Sequence, residues 1–269
     1  RLIDSGGTDD VIVPLQLEGS GPPLYCVHAH MGHVFNLRLL ATHFAPRTAF
    51  YGIQAIGLTE DHPPLETIGE MAATYVQAIR QHYPSGPYLV GGYCFGSLVA
   101  VEMARLLRQQ GLVVEFVALI DPDIPGYHAT KRQTLDILRN ILRQPSGELV
   151  RSAARRFLQI VKASPRARLR GQQTTSNAAL APGQHTRVEQ AIRSAHQNFH
   201  PSGGAGPVHV FSPQRWTQSA QAACEKWVGG EVHVIELNAP PQDMMRDPWA
   251  RQLSDAICLQ LEEVRRGRR

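Results

Sequence analysis

No stretch of this chain approaches the roughly 18 consecutive apolar residues that a membrane-spanning helix needs, so a transmembrane helix is excluded and no membrane partner is expected. Its first residues carry neither Met nor a signal-peptide pattern, and the expectation is a domain cut from a longer polypeptide. Cysteine is scarce. Cys26, Cys94, Cys224 and Cys258 are scattered without C-x-x-C spacing, which argues against a zinc site or a disulfide framework and makes a reducing cytoplasm the expected compartment. Charge of one sign is also scarce: 27 Lys and Arg against 23 Asp and Glu leave a formal +4, too little to imply a nucleic-acid partner. No internal repeat is visible. Histidine is absent after His233, and that gap becomes important below.

What remains is a chain of 269 residues, 43% apolar, enough for one large domain or one domain with an insertion. Its centre is Leu89-Val90-Gly91-Gly92-Tyr93-Cys94-Phe95-Gly96-Ser97-Leu98. This reads as a buried strand, a tight turn and a helix, with Cys94 at the tip between Gly92 and Gly96. It is the G-x-S-x-G layout of a nucleophile elbow with Cys in place of Ser. From 23 Gly and 4 Cys, chance would give G-x-C-x-G about 0.03 times in such a chain. Thiolate is the nucleophilic form of cysteine, and the N-terminus of the following helix favours it. The alternative reading of Cys94 is a small buried thiol without chemistry.

Around the elbow, strand and helix patterns alternate. Residues 1–23 read as a linker carrying an edge strand at Val11–Leu15. Strands follow at Leu24–His28, Phe50–Ile53, Tyr88–Gly92 and Val113–Ile120. Helices are expected at Asn36–Phe44, from the Thr67-Ile68-Gly69-Glu70 capping box to Tyr83, and from Ser97 to Gln110. Such alternation implies a mostly parallel sheet with helices on both faces and a site beyond the carboxyl ends of its strands. Residues 125–200 break the pattern. Helices at about 128–144, 147–163 and 186–199 with no strand between them read as a lid inserted in a domain spanning 24–269. Between 127 and 170 the lid carries eleven Lys and Arg against two acids: either a solvated helical face or a docking surface for an acidic or phosphate-bearing partner. Short strands resume at Val208–Phe211 and Val232–Glu236, and a last helix runs from Asp247 to Val264.

The loop after the first core strand, Ala29-His30-Met31-Gly32-His33, is placed to supply an oxyanion-hole amide. The backbone N–H groups of His30 and Phe95 are the expected pair. Asp121, ending its strand, is the expected acid of a nucleophile–acid–base triad, with Asp123 a second candidate for the same role and a strand-end cap the alternative for Asp121. The base is missing. The stretch after Glu236, where a triad would place a His, has none. His30 is the substitute the sequence offers, against the alternative of a loop-bracing side chain. His200 is a second candidate, His28 ends a strand and braces the loop, and His209 and His233 read as structural.

The chain resembles the C-terminal, type I thioesterase domains of nonribosomal peptide synthetases and modular polyketide synthases. The resemblance rests on Val11-Ile12-Val13-Pro14-Leu15-Gln16, Gly21-Pro22-Pro23-Leu24-Tyr25-Cys26-Val27-His28, Phe50-Tyr51-Gly52-Ile53-Gln54-Ala55-Ile56-Gly57-Leu58, Gly86-Pro87-Tyr88-Leu89-Val90-Gly91-Gly92-Tyr93, Val101-Glu102-Met103-Ala104 and Met244-Met245-Arg246-Asp247-Pro248. It implies an α/β-hydrolase fold with a helical lid, no bound cofactor, and a substrate delivered on the phosphopantetheine of a carrier-protein domain just upstream. The chain departs from the family at three places. Cys94 stands for the usual Ser, the HPAGG loop reads His28-Ala29-His30-Met31-Gly32, and the triad-His position falls on Pro241. A Cys nucleophile needs less help from a base than Ser does, so the expected reaction is transfer of an acyl or peptidyl chain onto Cys94 and release by cyclisation or to another non-water nucleophile. A carrier-to-carrier acyltransferase, a hydrolytic thioesterase and a non-catalytic docking domain are the alternatives.

Overall fold

Seven strands form one sheet in the order β1-β3-β2-β4-β5-β6-β7, in a computed structural model that describes residues 11–58, 62–124, 184–200, 202–213, 216, 218–240 and 243–267. The strands are β1 (Ile12–Gln16), β2 (Leu24–Val27), β3 (Phe50–Ile53), β4 (Tyr88–Tyr93), β5 (Val114–Ile120), β6 (Val208–Ser212) and β7 (Val232–Glu236). Only β1 runs antiparallel, pairing with β3 at the sheet edge; every other pair is parallel. The central strands are buried on both faces, which is why they read as unbroken apolar runs.

Helices cover both faces. A 3-10 turn at Phe35–Leu37 leads into α1 (Arg38–Thr42), a shorter and more broken element than the expected 36–44 helix. Next come α2 (Ile68–His82) and α3 (Phe95–Gln109), then α4 (Gln184–Gln197), α5 (Gln218–Val228) and α6 (Trp249–Gly267). Thr67 caps α2: its hydroxyl accepts the Glu70 amide while the Glu70 carboxylate accepts the Thr67 amide. One apolar core joins α2, α3 and α5 to one face of the sheet, and Val188, Ile192 and Ala195 of α4 belong to it. The other joins α1 and α6 to the opposite face. There α6 is also tied by charge: Arg47 to Asp255 at 2.9 Å, and Arg265 to Glu115 at 3.2 Å. The expected lid helices at 128–144 and 147–163, with the basic residues they carry, lie outside the described residues, as does Pro241.

The strand order places the site. From β2 the chain turns one way to β3 and then crosses back to β4 on the other side of β2. The loops after β2 and β4 therefore diverge around a crevice at the carboxyl end of the sheet, where open parallel sheets bind ligands.

Candidate active site

Cys94 sits between β4 and α3 with φ 52° and ψ −114°, a conformation that costs a non-glycine residue on the order of 1–3 kcal/mol. The turn is held from both sides. The Cys94 amide donates to the Ile120 carbonyl at 2.9 Å, and the buried Ser97 hydroxyl donates to the Gly92 carbonyl at 2.9 Å. A Cβ on Gly92 would lie 2.1 Å from the Gly96 carbonyl oxygen, and one on Gly96 would lie 2.4 Å from that of His28. Both positions thus require glycine for close backbone approach. Their closeness sets the first turn of α3 against the end of β2. Cys94 is partly exposed, whereas Cys26, Cys224 and Cys258 are buried.

The loop after β2 is braced by His28. Its ring is fully buried, with Nδ1 2.7 Å from the Ala29 carbonyl and Nε2 3.0 Å from the Tyr75 hydroxyl. Burial pushes its pKa down to about 4, so the ring is neutral: Nδ1–H donates to Ala29 and the Tyr75 hydroxyl donates to Nε2. Gly32, at φ 78°, lets the loop pass under α4, where a Cβ would come 2.7 Å from a Val188 methyl. The His30 amide donates to no backbone carbonyl among the described residues. The Phe95 amide opens α3 and has no carbonyl a turn earlier in the helix to meet.

His30 turns its side chain to the elbow. The ring packs on Phe95, the residue after Cys94, with centroids 5.5 Å apart, and lies beside the Cys94 side chain. Its Nε2 is 3.8 Å from Asp123 Oδ2. Burial opposes its protonation, but the Asp123 carboxylate and the Cys94 sulfur beside the ring outweigh it and push the pKa up to about 9. A second imidazole reaches the same oxygen: His196 Nε2, from α4, is 3.4 Å from Asp123 Oδ2. Its ring stands edge-on to His30 at 5.9 Å and to Phe95 at 6.3 Å.

The geometry and the expectation differ for the acid. Asp121 directly follows β5 at φ 43°, with its amide bonded to the Phe211 carbonyl, and its carboxylate pairs with no imidazole among the described residues. Burial first, and the nearby Asp123 second, push its carboxyl up to about 6. The positive φ swings the chain, so Asp123, two residues on, is the carboxylate that meets the imidazoles. His200 has no described link to this cluster, and His209 and His233 stack on each other across β6 and β7. His196 is the residue that the sequence reading missed. Its signal was available: Val188 and Ile192 precede it at i−8 and i−4, which puts His196 on the inward stripe of α4. Among the described residues, no group of three or more His, Cys, Asp or Glu is arranged to hold a metal ion.

A parallel sheet with a strained residue at a strand–turn–helix elbow, flanked by an amide-bearing loop, defines an α/β-hydrolase-like protein. Residues 22–227 match the thioesterase domain family, and the chain belongs to that family. Over 114 residues it is 46% identical to the indigoidine synthase of Dickeya dadantii (strain 3937), a match covering 42% of this chain and 8% of that protein. Over 127 residues it is 38% identical to the atromentin synthetase of Tapinella panuoides, covering 47% and 13%. The chain thus aligns with only a small part of those relatives. Among solved structures, a thioesterase domain of Vlm2 bound with a dodecadepsipeptide superposes with a TM-score of 0.60 at 18% identity, covering 93% of this chain and 96% of that one. A holo four-domain nonribosomal peptide synthetase, AB3403, gives 0.65 at 19% identity over 93% of this chain and 20% of its own. At those identities the likeness is one of fold.

Proposed function

We propose that this domain receives an acyl or peptidyl chain from the phosphopantetheine thioester of a carrier domain, holds it on Cys94, and releases it to a nucleophile other than water, by ring closure or transfer. One observation carries the reading: Cys94 stands strained at the elbow while the His30 ring packs on the adjoining Phe95 with its Nε2 3.8 Å from Asp123 Oδ2. The similarity to parts of large synthetases, and to a structure holding a whole synthetase, supports a carrier domain as the partner.

In the first half, the Cys94 thiolate attacks the carrier thioester carbonyl. The amides of His30 and Phe95 face the developing oxyanion, a contribution worth about 3–4 kcal/mol per donor in related chemistry. The carbon–sulfur bond to pantetheine breaks, and the leaving sulfur takes the proton of the His30 imidazolium. With Cys94 acylated, its negative charge no longer supports the imidazolium, so His30 is neutral and ready to accept a proton. In the second half, the incoming nucleophile loses its proton to His30, attacks the Cys94 thioester and displaces Cys94 as thiolate. A thioester on Cys94 keeps the chain more activated toward an amine, thiol or carbanion than a Ser ester would.

The test is intact-mass analysis after mixing the domain with an acyl-pantetheine thioester bearing an internal amine. Wild type should show an adduct lost from Cys94→Ala, and product should be cyclic or transferred. His30→Ala should slow adduct formation by about 10²–10⁴-fold. Free acid as the sole product would refute the release mode, and an adduct that survives Cys94→Ala would refute the nucleophile.

A further inference from the structure

Two imidazoles converge on one carboxylate oxygen beside Cys94, and they come from different parts of the chain. His30 belongs to the loop after β2, while His196 belongs to α4, some 70 residues beyond β5 in sequence. Asp123 itself lies past the end of β5, outside any strand or helix, with 41% of its side chain exposed. A carboxylate so placed meets solvent on one side and the two imidazoles on the other. The His196 ring bears on it in two ways: its Nε2 lies 3.4 Å from Oδ2, and the ring stands nearly perpendicular to both Phe95 and His30, which fixes where that nitrogen points. The helix that carries it is seated by Val188, Ala191, Ile192 and Ala195, all buried, so the ring position is set by core packing.

We propose that His196 is a positioning residue: by donating to Asp123 Oδ2 it holds that carboxylate against His30, so the Cys94–His30–Asp123 unit is complete only with α4 in place. This rests on the reading of Cys94 and His30 given above. It assigns to α4 a part in building the proton-handling machinery. The role requires an N–H donor at His196 Nε2, 3.4 Å from Oδ2. A side chain with a donor of similar reach, such as the Gln carboxamide, should therefore serve in its place, and a residue without one should not.

The experiment reads the thiol directly and needs no acyl substrate. Iodoacetamide alkylation of Cys94 is followed by intact mass across pH 5–10 in wild type, His196→Ala and His196→Gln, with urea unfolding of each to establish that it is folded. Cys26, Cys224 and Cys258 are buried, so the first alkylation reports Cys94. In wild type the rate should change near the pH at which His30 loses its proton. In His196→Ala that inflection should move down by about one unit, because Asp123 no longer stays beside His30; His196→Gln should restore it. Acylation by an acyl-pantetheine, run in parallel, should fall about 10–100-fold in His196→Ala at saturating substrate, with KM little changed and His196→Gln close to wild type. An unmoved inflection in a folded His196→Ala overturns the proposal. So does a His196→Gln variant as impaired as His196→Ala, since that outcome makes the imidazole an acid or base in its own right. If wild type alkylates as described but never acylates, the proposed function fails while the positioning role stands.

Discussion

Gly69 and Gly96 occupy the same position in two helices of equal length: each is the second residue of a 15-residue helix, α2 and α3. Replacing each by Ala is the same chemical change with opposite expected results. A Cβ on Gly69 meets nothing within 4 Å. Gly69→Ala should therefore stabilise the protein by about 0.4–1 kcal/mol, through the lower entropy of the unfolded chain, and leave Cys94 untouched. A Cβ on Gly96 would lie 2.4 Å from the His28 carbonyl oxygen and 2.5 Å from that of Val27. Ordinary contact is about 3.5 Å, so α3 and the end of β2 must separate by about 1 Å. Neither opposing atom is a flexible side-chain tip, so the backbone must move. Overpacking of this kind costs about 1–3 kcal/mol. The same displacement parts the Phe95 amide from the His30 loop, and losing one oxyanion donor costs about 10²–10³ in kcat. Urea unfolding gives the stabilities and single-turnover acylation of Cys94 gives the rates. A Gly96→Ala protein that acylates within about threefold of wild type would refute both the elbow geometry and the role assigned to these amides.

Asp123→Asn should slow Cys94 acylation by at least about tenfold. Asp121→Asn, read in the same assay, should retain most activity and be more stable than wild type at pH 8, by on the order of 1–3 kcal/mol. The sign follows from its raised carboxyl pKa: the native state disfavours the Asp121 carboxylate above about pH 6, and Asn removes that cost. His209 gives the opposite case. Burial, with His233 beside it, pushes its pKa down to about 4, so the native state keeps it neutral while the unfolded chain takes up a proton below about 6.5. Stability should fall as pH drops from 6.5 to 4. His209→Phe should be less sensitive to that drop by about 2 kcal/mol at pH 5, measured as urea midpoints at pH 5 and 7.5; equal losses in both proteins would refute the assignment. Thr67→Ala should cost about 1 kcal/mol by removing the cap of α2, with acylation unchanged.

Local signals carried most of the fold. The Thr67–Glu70 box opens α2 at the expected residue, and the apolar runs of β2, β4 and β5 announced a buried parallel sheet. Gly92 and Gly96 marked the elbow because backbone packs on backbone there, a demand that only glycine meets. The acid of the proposed unit was harder. Asp121 and Asp123 stand two residues apart, and the choice between them depends on a positive φ at Asp121, which no glycine advertises. His196 was hidden for another reason. Its pairing with Asp123 spans 73 positions, and the helical stripe that turns it inward says only that it is covered, not what it meets. The departures from the family at Cys94 and Pro241 were legible at once. The base proposed in place of the missing histidine, His30 from the loop after β2, comes near the elbow because the register sets β2 beside β4.

The ion pairs and apolar contacts that fasten α6 to the outer face of the sheet have a consequence for how this chain can vary. On the proposed assignment, every proton-handling group lies before β6, and the turn from β7 into α6 holds none. That turn and the helix after it answer to packing, to the two ion pairs and to backbone geometry: Met244, Leu253, Ile257 and Leu261 are buried, Leu237 packs against the same core, and Asn238 holds φ 49°. In a relative that keeps its histidine in that turn, a shift of the last helix disturbs chemistry. Here, on that assignment, α6 is a buttress, and substitutions in it reach the reaction only through the packing of the sheet it supports.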